Sequence, residues 1–406
     1  MINVIGLGYI GLPTALMLAA SGNEVVGTDI NEKTVHMLEN GEIPFEEKGI
    51  KELYENAVVN NIKFTTTYQK TDMYIITVPT PYIHSSKKVD PEYIKSAVNS
   101  VLDVCNTGAI IIVESTVSPG TMNRHVVPII ENKGFILGKD IYLVHAPERI
   151  LPGNMVYELK HNSRTIGAEE QFVGEKVKKI YETFCESEIV ITDIRTAEMS
   201  KVVENTYRDV NIAFANELAK IARTDDLDVY EIIRIANKHP RVNILNPGPG
   251  VGGHCISVDP WFLVGDYPGL TNLISAARDI NDSMPEHVLK RVNEIMKIEG
   301  LSDLSRVGLY GLSYKANVDD TRESPTLQLL ENMKKHLAPE LKVYDPYISK
   351  KITEKQYFDF NEFLEDIDFV IVMVGHDHIK EHEDMLNEKT ILDTQRVLKN
   401  TKAYYI

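Results

Sequence analysis

The sequence predicts an α/β protein: two doubly wound, parallel-sheet domains joined by a central helical domain. Three observations carry that reading. Short apolar runs alternate with helical stretches up to about residue 195, a pattern that favours a wound sheet. From Thr196 to about residue 300 helical stretches follow one another with no strand between them. From Arg306 strands return. The expected division is therefore 1–195, 196–300 and 301–406.

In the first part the candidate strands are Asn3–Gly6, Glu24–Asp29, Lys63–Thr66, Met73–Val78, Ala109–Glu114, Ile141–His145, Arg164–Gly167 and Glu188–Ile191. Runs such as Tyr74-Ile75-Ile76-Thr77-Val78 are apolar throughout, as strands covered by helices on both faces must be. The middle offers helices at Thr196–Arg223, Val229–Asn237 and Leu273–Met296, interrupted by a Pro- and Gly-rich loop from His239 to Trp261. The last part offers strands at Val307–Tyr310, Lys342–Tyr344, Phe369–Val374 and Ile391–Asp393.

A chain of 406 residues with 43% hydrophobic and 25% charged residues is long enough for two or three cored domains. The net charge of −16 argues against nucleic acid as a partner, because such binding rests on basic surface. Met1 to Ala20 is almost uncharged but lacks the basic start of a signal peptide, and no other apolar run reaches membrane-spanning length. Cys105, Cys185 and Cys255 are far apart, with neither a disulfide framework nor zinc spacing, so no metal is expected and a reducing cytoplasm is the expected compartment.

Asn3-Val4-Ile5-Gly6-Leu7-Gly8-Tyr9-Ile10-Gly11 places G-x-G-x-x-G between a strand and the helix Leu12–Ser21. Gly6 suits the tight turn, Gly8 lets backbone approach a pyrophosphate, and Gly11 lets helix and strand pack closely. Such a turn also arises for packing alone. Asp29, about 20 residues on, decides between the readings: an acid there holds ribose hydroxyls and repels a 2′-phosphate, which favours NAD over NADP. Both ends of the chain are accordingly read as Rossmann-like.

Two further segments carry chemistry. Pro247-Gly248-Pro249-Gly250-Val251-Gly252-Gly253-His254-Cys255 presents a thiol in a glycine-dense loop. A thiol beside a nicotinamide can trap an aldehyde as a thiohemiacetal and permit a second oxidation to the acid. An inert buried cysteine is the plain alternative. Lys201, Asn205 and Arg208 share one face of a helix that continues as a mostly apolar run. A solvated stripe explains such spacing, but a stripe on a buried helix needs partners, which a substrate cavity supplies.

With Val78-Pro79-Thr80-Pro81, Glu114-Ser115-Thr116-Val117-Ser118-Pro119-Gly120-Thr121, Ala146-Pro147-Glu148-Arg149, Gly311-Leu312-Ser313-Tyr314-Lys315 and Asp319-Asp320-Thr321-Arg322-Glu323-Ser324-Pro325, these segments resemble the UDP-glucose/GDP-mannose dehydrogenase family over essentially the whole length. The resemblance implies that Cys255 is the nucleophile and that Lys201 steadies the oxyanion. Asp259 would act with Lys201 on an ordered water. Glu148 and Thr116 would lie near the nicotinamide and the hydrolytic water, and Asn205 near the reacting sugar. Cofactor contacts are implied at Gly6, Gly8, Tyr9, Ile10, Gly11, Asp29, Thr80, Thr116 and Arg322. Substrate contacts are implied at Arg149, Ile150, Lys201, Asn205, Arg208, His239, Arg241, Gly252, Tyr314 and Lys315. For isolated arginines and loop polar groups, surface charge and structural hydrogen bonding are the plain alternatives.

One departure stands out: family members often carry a base five positions after the ribose-binding acid, where this chain has Thr34, with Lys33 one place earlier. The runs His145–Asn154, His239–Leu245 and Gly252–Phe262 resemble the branch acting on UDP-N-acetyl-D-mannosamine, with the gluco epimer, UDP-N-acetylglucosamine, as the alternative. A homodimer or higher oligomer is implied, with Arg241 on an arm that reaches the neighbouring site. A two-electron NAD dehydrogenase would share the opening but not need Cys255, and a non-enzymatic nucleotide-sugar sensor would tolerate loss of both Cys255 and Lys201.

Overall fold

In the computed structural model, residues 1–83, 85–336 and 341–406 are described. They form two compact units, Met1–Glu204 and Asn205–Ile406, and the boundary falls inside the long helix Ile194–Thr224.

Among the described residues the first unit carries ten strands: β1 Ile2–Ile5, β2 Val25–Thr28, β3 Lys63–Thr65, β4 Met73–Ile76, β5 Tyr82–Ile83, β6 Lys88–Val89, β7 Ala109–Val113, β8 Ile141–His145, β9 Arg164–Ala168 and β10 Ile189–Thr192. Eight of them form one sheet in the order β10-β9-β8-β7-β4-β1-β2-β3, and β5 and β6 pair as a separate short hairpin. From β3 to β8 the sheet is parallel and doubly wound. β9 then runs antiparallel to β8, with Val144 opposite Ala168. Strand residues alternate between two cores: Val4, Ile75 and Ile112 pack on one face, Ile5, Ile76 and Ile111 on the other. This two-sided burial explains the continuous apolar runs.

The second unit carries β11 Val307–Tyr310, β12 Lys342–Tyr344, β13 Gln356–Tyr357, β14 Phe369–Val372 and β15 Thr390–Asp393. They form a parallel sheet in the order β13-β12-β11-β14-β15. Its helices include Val229–Ala236, Asp259–Asp266, Asn272–Asp282 and Met284–Glu299. The sequence reads Leu273–Met296 as one helix, but the structure breaks it at Ser283. Pro285 explains the break: it lacks an N–H and is tolerated only in a first turn, which it occupies in the second helix.

Candidate active site

The glycine turn joins β1 to the helix Gly11–Ala20. Gly6 adopts φ +91°, which needs glycine, and its N–H donates to the Thr28 carbonyl at 2.8 Å. The Thr77 hydroxyl lies 2.9 Å from the Ile5 carbonyl oxygen and 2.7 Å from that of Gly6. A Cβ at Gly11 would overlap the Gly6 carbonyl oxygen and the Thr77 hydroxyl, so only glycine lets the helix start here. A Cβ at Gly8 would meet nothing within 4 Å, and Gly8 is exposed. The helix begins without a side-chain cap, which leaves its start available to an anion. Asp29, half-buried just past β2, accepts the Leu7 N–H at 2.7 Å and the Asn31 N–H at 2.9 Å. An open turn, an uncapped helix start and a fixed carboxylate fit the pyrophosphate and ribose of a dinucleotide. Tyr9 and Ile10 are half-buried beside the turn, with Tyr9 stacked on Phe45 at 4.5 Å.

Two motifs meet beyond β4 and β7. The Ser115 hydroxyl donates to the Val78 carbonyl at 2.6 Å, with Thr80 buried and Thr116 half-buried beside them. The Glu198 carboxylate on the long helix accepts the N–H of Met122 at 2.9 Å and that of Gly120, which clamps the 115–122 loop. Lys201 follows one turn on and is buried, as is Asn205 a further turn along.

Glu148, just past β8, is buried with both oxygens held. One accepts the Arg149 N–H at 2.6 Å and the other the guanidinium of Arg164. Arg164 also lies 3.4 Å from Glu114, whose carboxylate accepts the Tyr181 hydroxyl at 2.6 Å. Burial pushes Glu114 up to about 7; the Arg164 charge opposes the rise and the Glu148 charge adds to it. Sequence reasoning assigned no role to Arg164 or Tyr181, and none to Glu114 although it lies in a quoted motif. Arg149 turns its guanidinium inward, 2.6 and 3.0 Å from Glu204, with further bonds to Ser163 and Thr165. Ile150 belongs to the core.

In the second unit the loop 243–248 is clipped by asparagines. Asn211 donates to the Asn243 carbonyl at 2.7 Å and accepts the Leu245 N–H at 2.9 Å; Asn216 accepts the Gly248 N–H at 2.8 Å. A buried group of Asp209, Asn216, Arg278 and Asn281 backs this helix, with Arg278 2.6 Å from Asp209. The polar stripe read from sequence therefore continues as buried Asp209 and Asn216, while Arg208 is exposed.

Cys255 is half-buried in a tight turn, its carbonyl accepting the Asp259 N–H at 2.8 Å. The buried Asp259 carboxylate accepts the Asn205 amide at 2.6 Å. At Gly253 a Cβ would come 2.7 Å from the Tyr314 ring, and at Gly252 2.6 Å from the Glu323 carbonyl oxygen. The loop thus lies flat against residues 314–325. Tyr314 is pushed up to about 12 by burial and by the charges of Asp320 and Cys255, against Arg322 and Arg208. Those groups therefore gather around the thiol turn. Arg322 is held by Asp320 through bonds of 2.6–3.1 Å. Lys315, His239 and Arg241 are exposed.

The turn after β11 repeats the first unit's geometry. Gly311 adopts φ +99° and donates to the Tyr344 carbonyl at 2.8 Å, and Asp345 past β12 accepts the N–H of Leu312 at 2.6 Å and of Ser313 at 2.9 Å. Unlike Asp29, Asp345 is fully buried and lies 3.2 Å from His376. Burial alone would raise its carboxyl; the bond to His376, that residue's charge and the backbone N–H groups of Ser313 and Tyr347 together outweigh it and hold the carboxyl below the usual range.

The domain models of the UDP-glucose/GDP-mannose dehydrogenase family match in order: the NAD binding domain over residues 1–185, the central domain over 195–283 and the UDP binding domain over 308–400. The chain belongs to this family. As a family member it is an NAD-binding nucleotide-sugar dehydrogenase, and no helix among its described residues is long and apolar enough to cross a membrane. The UDP-N-acetyl-D-mannosamine dehydrogenase of Methanocaldococcus jannaschii is 45% identical over 406 residues, covering 97% of this chain and 92% of that one. The structure of the UDP-N-acetyl-mannosamine dehydrogenase from Staphylococcus aureus is similar at 43% identity and a TM-score of 0.89, covering 100% of this chain and 97% of its own. That of the UDP-D-ManNAc dehydrogenase from Pyrococcus horikoshii reaches 0.92 at 34% identity, covering 100% and 99%.

Proposed function

We propose that this family member oxidises UDP-N-acetyl-D-mannosamine at C6 to the uronate, in two NAD-dependent steps through a thioester on Cys255. The observation that carries the reaction type is the Cys255 turn, whose carbonyl holds Asp259 while Asn205 orients the Asp259 carboxylate. The choice of sugar is supported by relatives of that name at 43–45% identity.

Bound NAD⁺ supplies the hydride acceptor for each oxidation. In the first, the C6 alcohol loses its proton through a water held by Lys201 and Asp259. The Cys255 thiol then adds to the aldehyde, forming the S–C bond of a thiohemiacetal while Lys201 supports the oxygen. After the second oxidation the S–C bond is a thioester. Glu148 and Thr116 direct water onto it, which releases the carboxylate and returns the thiol. Asn205, Arg208, Gly252, Tyr314 and Lys315 are assigned to the nucleotide sugar, with Ile150 as apolar backing. Arg149 joins them on exchanging Glu204 for substrate, and Arg322 reaches the cofactor.

A homodimer is part of this reading. Val203, Tyr207, Phe214 and Ile221 leave 46, 61, 52 and 56% of their surface exposed along one side of a single helix, the kind of apolar stripe that a second copy covers. His239 and Arg241 then sit on an exposed arm available to the partner's site. Division at 195 and 300 into NAD-binding, helical and UDP-sugar-binding parts is supported by where the family's domain models end and begin. A cytoplasmic location suits an enzyme drawing on NAD and keeping a free thiol.

The test is NADH yield from UDP-N-acetylmannosamine and UDP-N-acetylglucosamine side by side. Two NADH per manno sugar alone are expected. Two from the gluco sugar alone would overturn the sugar assignment. Uronate formation by Cys255→Ser at the normal rate would overturn the mechanism.

A further inference from the structure

Glu148 gains its place from groups that no motif joins. Arg164 opens β9, Glu114 follows directly on β7, and Tyr181 closes the helix Gln171–Tyr181. Arg164 binds Glu148 through one guanidinium nitrogen and faces Glu114 at 3.4 Å through another. Its guanidinium carbon lies 4.4 Å from the centre of the Tyr181 ring and 5.2 Å from that of Phe184. The hydroxyl of Thr14, on the helix of the glycine turn, lies 3.4 Å from the other Glu114 oxygen. One buried cation thus serves two buried carboxylates, one assigned to the chemistry and one tied to the cofactor helix. Two buried anions cannot share one cation at full strength: when one ionises, it weakens the hold on the other.

We propose that Arg164 and Glu114 are positioning residues for Glu148: Arg164 fixes the carboxylate that directs water, and Glu114 competes for the same guanidinium. The proposal rests on the role given to Glu148 above. The groups facing Glu114 from the surrounding elements are Arg164, Glu148, Tyr181 and Thr14, and Cys185 faces Arg164. Burial raises the Glu114 carboxyl to about 7, and where it ionises it draws Arg164 away from Glu148.

The experiment compares kcat and KM against pH for the wild type, Glu114→Gln, Arg164→Lys and Glu148→Gln, with UDP-N-acetylmannosamine and NAD⁺. Wild-type kcat should show an inflection near pH 7 that Glu114→Gln abolishes. Arg164→Lys keeps the charge but loses the two-sided geometry; kcat should fall about 10-fold or more while both KM values stay within about 2-fold. A purely structural role would lower thermal stability and leave the pH profile in place. If Glu148→Gln loses activity while Glu114→Gln and Arg164→Lys keep the wild-type profile and kcat, the positioning proposal is overturned alone. If Glu148→Gln turns over normally, the role of Glu148 falls and the proposal with it.

Discussion

Gly8 and Gly11 sit three residues apart, and alanine at each should fail differently. A methyl at Gly8 meets nothing within 4 Å, so folding has no reason to object. An exposed change of this kind moves stability by about 0.5 kcal/mol at most. The same methyl fills the space through which backbone N–H groups reach a pyrophosphate. Loss of one or two charge-assisted hydrogen bonds, at about 1.5–3 kcal/mol each, raises the NAD dissociation constant roughly 10- to 100-fold or more. At Gly11 the methyl overlaps backbone, the Gly6 carbonyl, which cannot swing aside as a side chain does. Overpacking there costs about 1–3 kcal/mol or more, and at roughly 2–4 °C per kcal/mol for a unit this size Tm falls by several degrees. Scanning calorimetry without ligand and NAD titration by isothermal calorimetry separate the two. Wild-type NAD affinity in Gly8→Ala would refute the placement of the pyrophosphate, and an unchanged Tm in Gly11→Ala would refute the packing argument.

Other outcomes follow from the same geometry. Arg278→Met leaves Asp209 buried without its cation and should cost about 3–5 kcal/mol, read by urea unfolding; a variant as stable as wild type would show the pair to be dispensable. Phe214→Glu places a charge in the exposed apolar stripe and should convert a dimer to monomers by light scattering with Tm of the monomer unit little changed; an undisturbed dimer would move the interface elsewhere. Glu114 rises from its ordinary 4.5 to about 7 in the fold, so the folded chain holds the proton more tightly than the unfolded chain. Its stabilising contribution is present below about 4.5 and lost as pH rises through about 7. Glu114→Gln should therefore gain stability relative to wild type between pH 5 and pH 8, and a constant difference across that range would contradict the raised carboxyl.

The sheet strands were legible because two-sided burial writes an apolar run, and each expected strand lies within two residues of the observed one. The hairpin β5–β6 and the strand β13 escaped notice because two-residue strands carry no period. The antiparallel turn from β8 into β9 was equally silent, since Ile141–His145 and Arg164–Ala168 read alike in either direction. The helix Asp259–Asp266 starts inside what reads as loop, because Pro260 marks a turn as readily as a first helical position. At the site, the glycines and Asp29 announce themselves by spacing. The Glu114–Arg164 contact spans 50 residues and Thr14–Glu114 spans 100, so only the fold brings them together.

The twin turns at Gly6 and Gly311 have unequal evolutionary freedom. Asp29 stands at a margin, half-buried and holding the N–H groups of Leu7 and of exposed Asn31. Cofactor preference in the first half is thus open to drift by one or two substitutions. Asp345 occupies the matching place sealed against His376, where any replacement takes the acceptor from two buried backbone N–H groups and a carboxylate partner from the ring. The same architectural joint is adjustable in one half of the chain and frozen in the other, so new nucleotide preferences have an open route in the first half only.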